Sequence, residues 1–321
     1  MNAVEIRNVT KTFARHVAVD DLSLDVPAGT IYGFIGPNGS GKTTTLRMIM
    51  RIIHPDRGRI SVLGDASHGA AHDRVAYLPE ERGLYKQMKV ADLLYFYAQL
   101  KGHRATRFEI DDWLARMFPD QKPGRVGDLK VEALSKGMSQ KVQYIATVIA
   151  RPQLVLLDEP FSGLDPVNAV VLRDAVLDLK RTGASVIFST HDMGVAERMC
   201  DFIFMIYKGR KVLDGTLETI QRTYGTDVIR VRLESNGHPG AARLDDLPGV
   251  LGVSDFGKFQ ELRLSPSADR QQLLAALMGR GRVAHFEQAH PSLDDIFRRI
   301  ASPDAADLSD ASEPKPEAAL A

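Results

Sequence analysis

The chain has 321 residues, 44% hydrophobic and 26% charged, a composition that supports ordinary globular structure with ample core and suggests about two domains. Lysine plus arginine and aspartate plus glutamate both number 41, so the formal charge is zero and a dedicated nucleic-acid binder is not expected. A single cysteine, Cys200, excludes an internal disulfide; Met1–Arg7 lacks the apolar core of a secretory leader; and the dense apolar run Phe202–Tyr207 is far too short to cross a bilayer.

These features predict a chain that is soluble by itself and reaches a membrane only through a partner. Residues 2–27 read as β-strands with turns, Val4-Glu5-Ile6-Arg7-Asn8-Val9 alternating apolar and polar as a half-buried strand does. The apolar, β-prone Thr30–Ile35 then runs into Gly36-Pro37-Asn38-Gly39-Ser40-Gly41-Lys42-Thr43, and Thr44–Met50 suits a helix. Strand, glycine loop and helix in that order give the Walker A pattern its structural context. Glycines let successive N–H groups turn toward one anion, and the positive end of the following helix adds to that field. Lys42 is expected to reach the β- and γ-phosphates of a nucleotide, and the Thr43 hydroxyl to hold Mg²⁺.

Further along, Ile60–Leu63 reads as a short strand and residues 86–118 as helical, with apolar stripes through Leu93, Leu94, Phe96, Tyr97 and Leu100 and then Ile110, Trp113, Leu114 and Met117. A helix is predicted over 139–150, ended by Arg151-Pro152. Leu154–Leu157 and Ser185–Phe188 are continuous apolar strands, the pattern of a parallel sheet covered on both faces, with a helix over 166–181 between them. Around 215–226 the character changes. Val228–Leu233 and Glu261–Leu264 alternate, separated by a glycine-rich turn region; a helical stripe at Leu273, Leu274, Leu277 and Met278 precedes a strand at Val283–Phe286 and a helix near Leu293–Ile300. This is a small α+β domain over 222–300, and the Ala-, Asp-, Glu- and Pro-rich tail 302–321 is predicted to be disordered.

Leu154–Leu157 ends in Asp158-Glu159. A buried strand finishing in two acids either meets a cation or reacting group at its tip or runs out into a polar loop. Beside the glycine loop the first reading gains weight: Asp158 would hold Mg²⁺ through water as the Walker B carboxylate, and Glu159 would polarise an attacking water. Leu134-Ser135-Lys136-Gly137-Met138, ahead of the 139–150 helix, is either an anion site or a helix cap.

With Ser162-Gly163-Leu164-Asp165 and Ser189-Thr190-His191 following in order, residues 2–220 resemble an ATP-binding-cassette (ABC) ATPase. The resemblance implies a P-loop cassette: a RecA-like parallel-sheet core, an N-terminal antiparallel β part and an inserted helical subdomain at about 86–150, followed here by the small domain. It further implies two copies, or this chain and a paralogous cassette, packed head to tail with each MgATP between one Walker A and the other's signature. Gly36, Asn38, Gly39, Ser40, Gly41, Lys42, Thr43 and Thr44 would then bind one nucleotide, and Ser135 and Gly137 the γ-phosphate held by the partner. Asp165 would lie at the interface, His191 would contact the γ-phosphate, and Phe13 would stack on adenine unless it packs in the core.

Two departures from the family pattern stand out. Lys136 and Met138 replace a glycine and a glutamine of the signature, and Glu80, in Tyr77–Tyr85, takes the place of a glutamine and could still bind Mg²⁺ or orient water. That string and the ending Pro291–Phe297 resemble a branch that includes bacterial sodium-extrusion and drug-export ATPases. The resemblance implies the ATP-hydrolysing subunit of a bacterial exporter, peripheral on the cytoplasmic face through an integral-membrane permease docked near Glu80–Tyr85. The rival is a soluble ABC ATPase of ribosomes or DNA, disfavoured by the single cassette, the lack of sustained heptads and the lack of a basic tail. A cassette that binds ATP but barely hydrolyses it is opposed by the presence of Lys42, Asp158, Glu159 and His191.

Overall fold

A computed structural model describes residues 1–65, 72–81, 83–224, 228–234, 244–265, 267–289 and 291–301. The chain divides after Leu217 into two compact units. The first opens with the hairpin of β1 (Asn2–Phe13) and β2 (His16–Pro27), followed by β3 (Ile31–Ile35), α1 (Lys42–Ile49), β4 (Arg57–Val62) and β5 (Val75–Leu78). Four helices occupy the stretch expected to be helical: α2 (Val90–Leu100), α3 (Arg107–Met117), α4 (Pro123–Asp128) and α5 (Lys136–Val148). Then come β6 (Leu154–Asp158), α6 (Pro166–Arg181), β7 (Ser185–Thr190), α7 (Met193–Met199), and the hairpin of β8 (Phe202–Tyr207) and β9 (Arg210–Gly215).

A three-stranded antiparallel sheet runs β2-β1-β4, and a six-stranded sheet runs β5-β6-β7-β3-β8-β9, parallel except for the last pair. The central strands β3, β6 and β7 are buried along their whole length because both of their faces are covered. Along β6, Leu154 and Leu156 join a core with the antiparallel sheet, while Val155 and Leu157 join the core of the helical layer. Ile187 against Val186 and Phe188 on β7 repeats the division, as the two-residue period of a strand demands. Each such side chain taken out of water contributes roughly 1.5–3 kcal/mol. Because β6, β7 and β3 are adjacent and parallel, their C-terminal ends, with the loops that follow, come together at one edge of the sheet.

Several sequence expectations shift. Helix α5 starts at Lys136 rather than 139, because the Ser135 hydroxyl accepts the Met138 N–H at 3.2 Å and caps the helix there. Tyr77 and Leu78, at the head of the Tyr77–Tyr85 string, pair in parallel with Leu156 and Leu157 and belong to β5. The strand read at Ile60–Leu63 spans Arg57–Val62, since β1 pairs along that length.

The second unit begins within the first turn of α8 (Leu217–Tyr224) and continues through β10 (Val228–Glu234), β11 (Val250–Asp255), β12 (Gln260–Leu264), α9 (Arg270–Met278), β13 (Arg282–Ala289) and α10 (Leu293–Ala301). Its sheet, β11-β12-β10-β13, is antiparallel. Leu273 and Leu277 of α9 pack on Ile229, Val231, Leu262 and Leu264, one face of that sheet. The region read as a glycine-rich turn between β10 and β12 contains the strand β11. The tail expected to be disordered lies outside the described residues.

Candidate active site

In the loop between β3 and α1, Gly36 and Gly41 stand where no side chain fits. A Cβ on Gly41 would meet the Ala18 carbonyl oxygen at 2.5 Å, and its φ of +113° lies in a region that L-residues rarely adopt. Ser40 is buried, and its Oγ has no hydrogen-bond partner among the described residues. A buried polar atom left unpaired is costly, so its placement inside this loop suits a polar ligand. Lys42, 6% exposed, donates from Nζ to the carbonyls of Gly36 (2.7 Å) and Pro37 (3.2 Å) and lies 3.7 Å from Glu159 Oε1. Burial lowers the lysine pKa, and the charges of Glu159, Asp158 and Glu80 act against that shift.

Strand β6 delivers Asp158 to the same point. Its Oδ1 accepts from Thr43 Oγ1 (3.1 Å) and Ser189 Oγ (2.6 Å), and its Oδ2 from Tyr77 OH (3.2 Å). Three hydroxyls from α1, β7 and β5 thus hold one buried carboxylate. Ser189 also accepts the Glu159 N–H at 3.0 Å, tying the strand end to β7. Glu159 turns out of the strand at φ +48° and sets its carboxylate between Lys42 and His191, whose Nδ1 lies 3.0 Å from Oε2. Non-glycine residues in that backbone region are uncommon and cluster at functional sites.

Gly41, Lys42, Thr43 and Glu159 line a cavity of about 360 Å³ together with Asn38, Gly39, Thr44, Glu80, Phe13, His16 and Ala18. Phe13 is 46% exposed and not a core residue; Lys11 Nζ sits 5.4 Å from its ring centroid. Gly36, Lys42, Thr43, Asp158, Glu159 and His191 form one connected cluster. Ser135, Gly137 and Asp165 stand outside this cavity: Ser135 caps α5, Asp165 caps α6 through the N–H groups of Val167 and Asn168, and Gly137 packs near Asn168 and Leu164. His16 and Tyr77 were not anticipated, and Ser189 was quoted in a motif without a role. No local pattern marks a tyrosine or serine as the donor to an acid that lies more than thirty residues away; only the sheet order β5-β6-β7 shows it.

A glycine loop feeding α1, an acid-tipped strand next but one to β3 in the same sheet, and a helical layer inserted between β5 and β6 define a nucleotide-hydrolysing cassette of the P-loop type. The family model described as ABC transporter matches residues 19–162, and that of the ATP-binding protein DrrA1-3-like C-terminal domain matches 215–301. The chain is 40% identical over 294 residues to the uncharacterized ABC transporter ATP-binding protein YhaQ of Bacillus subtilis (strain 168), covering 91% of this chain and 96% of that one. It is 32% identical over 307 residues to the Nod factor export ATP-binding protein I of Burkholderia orbicola (strain AU 1054), covering 92% and 96%. A solved structure of the ATP-binding subunit of an ABC transporter superposes with a TM-score of 0.63 at 30% identity, covering 70% of this chain and 93% of that one. The chain belongs to the ATP-binding proteins of ABC transporters; it binds ATP and is an ATPase.

Proposed function

We propose that this chain powers an exporter: two copies close head to tail on two ATP molecules, hydrolyse them and reopen, and a separately encoded permease turns that motion into transport. The observation that carries the reading is the meeting of Lys42, Thr43, Asp158 and Glu159, from two adjacent elements, at the glycine loop. Export is supported by the relative named for Nod factor export and by the match of the second unit to the DrrA-like domain.

In this reading the loop N–H groups and Ser40 Oγ receive phosphate oxygens, and Lys42 exchanges its loop carbonyls for the β- and γ-phosphates. Phe13 stacks on the base from the rim. Among the described residues no group of three or more His, Cys, Asp or Glu side chains could hold a metal. That suits Mg²⁺, which takes one or two protein ligands and completes its shell with phosphate oxygens and water. Thr43 Oγ1 would hold it directly and Asp158 through water, with Glu80 beside them, and the ion would neutralise charge developing on the phosphates. Glu159 accepts a proton from the attacking water, and His191, joined to that carboxylate, orients it toward the γ-phosphate. Ser135 and Gly137 engage the γ-phosphate bound by the other copy, and Asp165 lies where the copies meet. Closure depends on the γ-phosphate because that group completes contacts from both copies, so its loss releases them.

Glu159→Gln tests the assignment. Turnover is expected to fall at least about 100-fold, the scale of a lost general base, while ATP binding persists and dimers accumulate in size-exclusion chromatography with MgATP. Hydrolysis at the parent rate would remove Glu159 as the base.

A further inference from the structure

Helix α5 runs from its Ser135 cap into the interior, and glutamines one turn apart reach from it to both carboxylate-bearing loops. The Gln140 side-chain amide donates to the Pro160 carbonyl, directly after Glu159. Gln143 Nε2 makes a longer contact, 3.5 Å, with the Glu81 carbonyl, directly after Glu80. Both glutamines are buried. The first turn of α5 meets the same loop further on. A Cβ on Gly163, which has φ +70°, would lie 2.7 Å from Lys136 Nζ, and one on Gly137 would lie 3.2 Å from Asn168 Nδ2. The lysine that replaces a signature glycine therefore extends over the Ser162–Asp165 segment of its own chain. Asp165 and Asn168 in turn hold each other at the start of α6.

The loop from Glu159 to Asp165 is thus clasped along its length by the first two turns of one helix. Glu159 itself sits in a backbone conformation that surrounding contacts must maintain. A displacement of the Ser135 end of α5 cannot occur without moving Pro160 or breaking the Gln140 bond. We propose that Gln140 is a positioning residue: it transmits engagement of the Ser135 end of α5 to Glu159 of the same chain. The inference rests on the head-to-tail reading above, in which that end of α5 meets the partner's nucleotide while Glu159 acts on the chain's own. Each copy's grip on its neighbour's ATP then sets the base in its own site, and the two sites hydrolyse cooperatively.

The test is Gln140→Met, close in length and lacking the donor, with Gln140→Leu as a second variant, which also lacks a donor. The full-length variants are assayed for melting temperature, for ATP affinity without turnover, and for the ATP dependence of hydrolysis. The melting temperature is expected to fall by only a few degrees, as one unpaired buried carbonyl requires, and affinity to stay near the parent's, while kcat falls about tenfold, the scale of one buried hydrogen bond, and the Hill coefficient drops to about 1, that of independent sites. An unchanged kcat and Hill coefficient in a folded variant overturns the inference. So does a parallel loss of affinity and kcat, which a merely structural role would produce. Glu159→Gln assayed alongside separates the failures: if that variant still hydrolyses ATP the base assignment is at fault, and if it is inactive while Gln140→Met is normal only the coupling is wrong.

Discussion

Ser189 does at the residue scale what the acidic pair cannot do alone. Its hydroxyl donates to Asp158 Oδ1 and accepts the Glu159 N–H, so one buried oxygen fixes both acids, one through its side chain and one through its backbone. Replacing it by alanine leaves a buried N–H without that partner and Asp158 with two of its three hydroxyl donors. Ser189→Ala is expected to cost about 1–3 kcal/mol, the desolvation of an unpaired buried group, read as a lower urea midpoint with an unchanged slope. Turnover falls with it, because both carboxylates lose their common anchor. A variant as stable and active as the parent would show that Thr43 and Tyr77 hold Asp158 unaided and that Glu159 needs no tether to β7.

At the scale of elements, helix α6 begins on a single charge. Asp165 accepts the N–H groups of Val167 and Asn168, and these bonds, the Asn168 backbone foremost and then its side chain, hold its pKa below the ordinary 3.8. A carboxylate whose folded pKa is depressed binds fewer protons folded than unfolded. Its contribution to stability is therefore complete above the unfolded value and disappears as pH falls through the lower folded value. The stability difference between the parent and Asp165→Asn, measured by urea unfolding, should be constant from neutral pH down to about 5 and shrink below the ordinary carboxylate pKa. A difference that stays flat to pH 3 would mean the charge contributes nothing to the cap.

This helix was also the most legible element in the chain, its bounds at Pro166 and Arg181 readable from a capping acid, a proline at the first turn and basic residues in the last. The strand, loop and helix around Lys42 were legible for a similar reason, since the signals are local. The hairpin of β8 and β9 was not read as such, and Phe202–Tyr207 showed only as an apolar run. Strand β11 was hidden because Gly252 interrupts it and Leu251 faces outward at 60% exposure, which spoils the alternation. The short α4 and α7 carry too few turns to print a stripe. For the site, motif order named the reacting side chains, but the contacts of Ser189, Tyr77 and Gln140 exist only once β5, β6, β7 and α5 are assembled.

For the molecule as a whole, the surface of the first unit offers a place for a partner. A cavity of about 280 Å³ lies among Pro79, Leu84, Tyr97, Leu100, Lys101 and Thr147. At its side Tyr85, 55% exposed, packs edge-on against Phe96 with ring centroids 5.5 Å apart, and Leu100 is 62% exposed. Aromatic and aliphatic groups held rigidly in the open are what protein interfaces use as anchors. The cavity wall includes the end of β5, and the segment leaving that strand carries Glu80, so a protein seated here would press on the loop that lines the nucleotide cavity. No described helix is long and apolar enough to cross a membrane. Tagged in its own cell and extracted from membranes in mild detergent, the parent chain is expected to bring down a polytopic membrane protein in near-equal amount. The double variant Tyr85→Asp, Leu100→Asp should lose that protein, because two carboxylates placed in an apolar contact cost far more than the contact supplies. It should keep its basal ATP hydrolysis, since neither residue lines the cavity at Lys42. Recovery of the parent with ribosomes or nucleic acid instead would return the chain to the soluble ATPases, and a double variant that still binds the membrane protein would move the docking surface elsewhere on the chain.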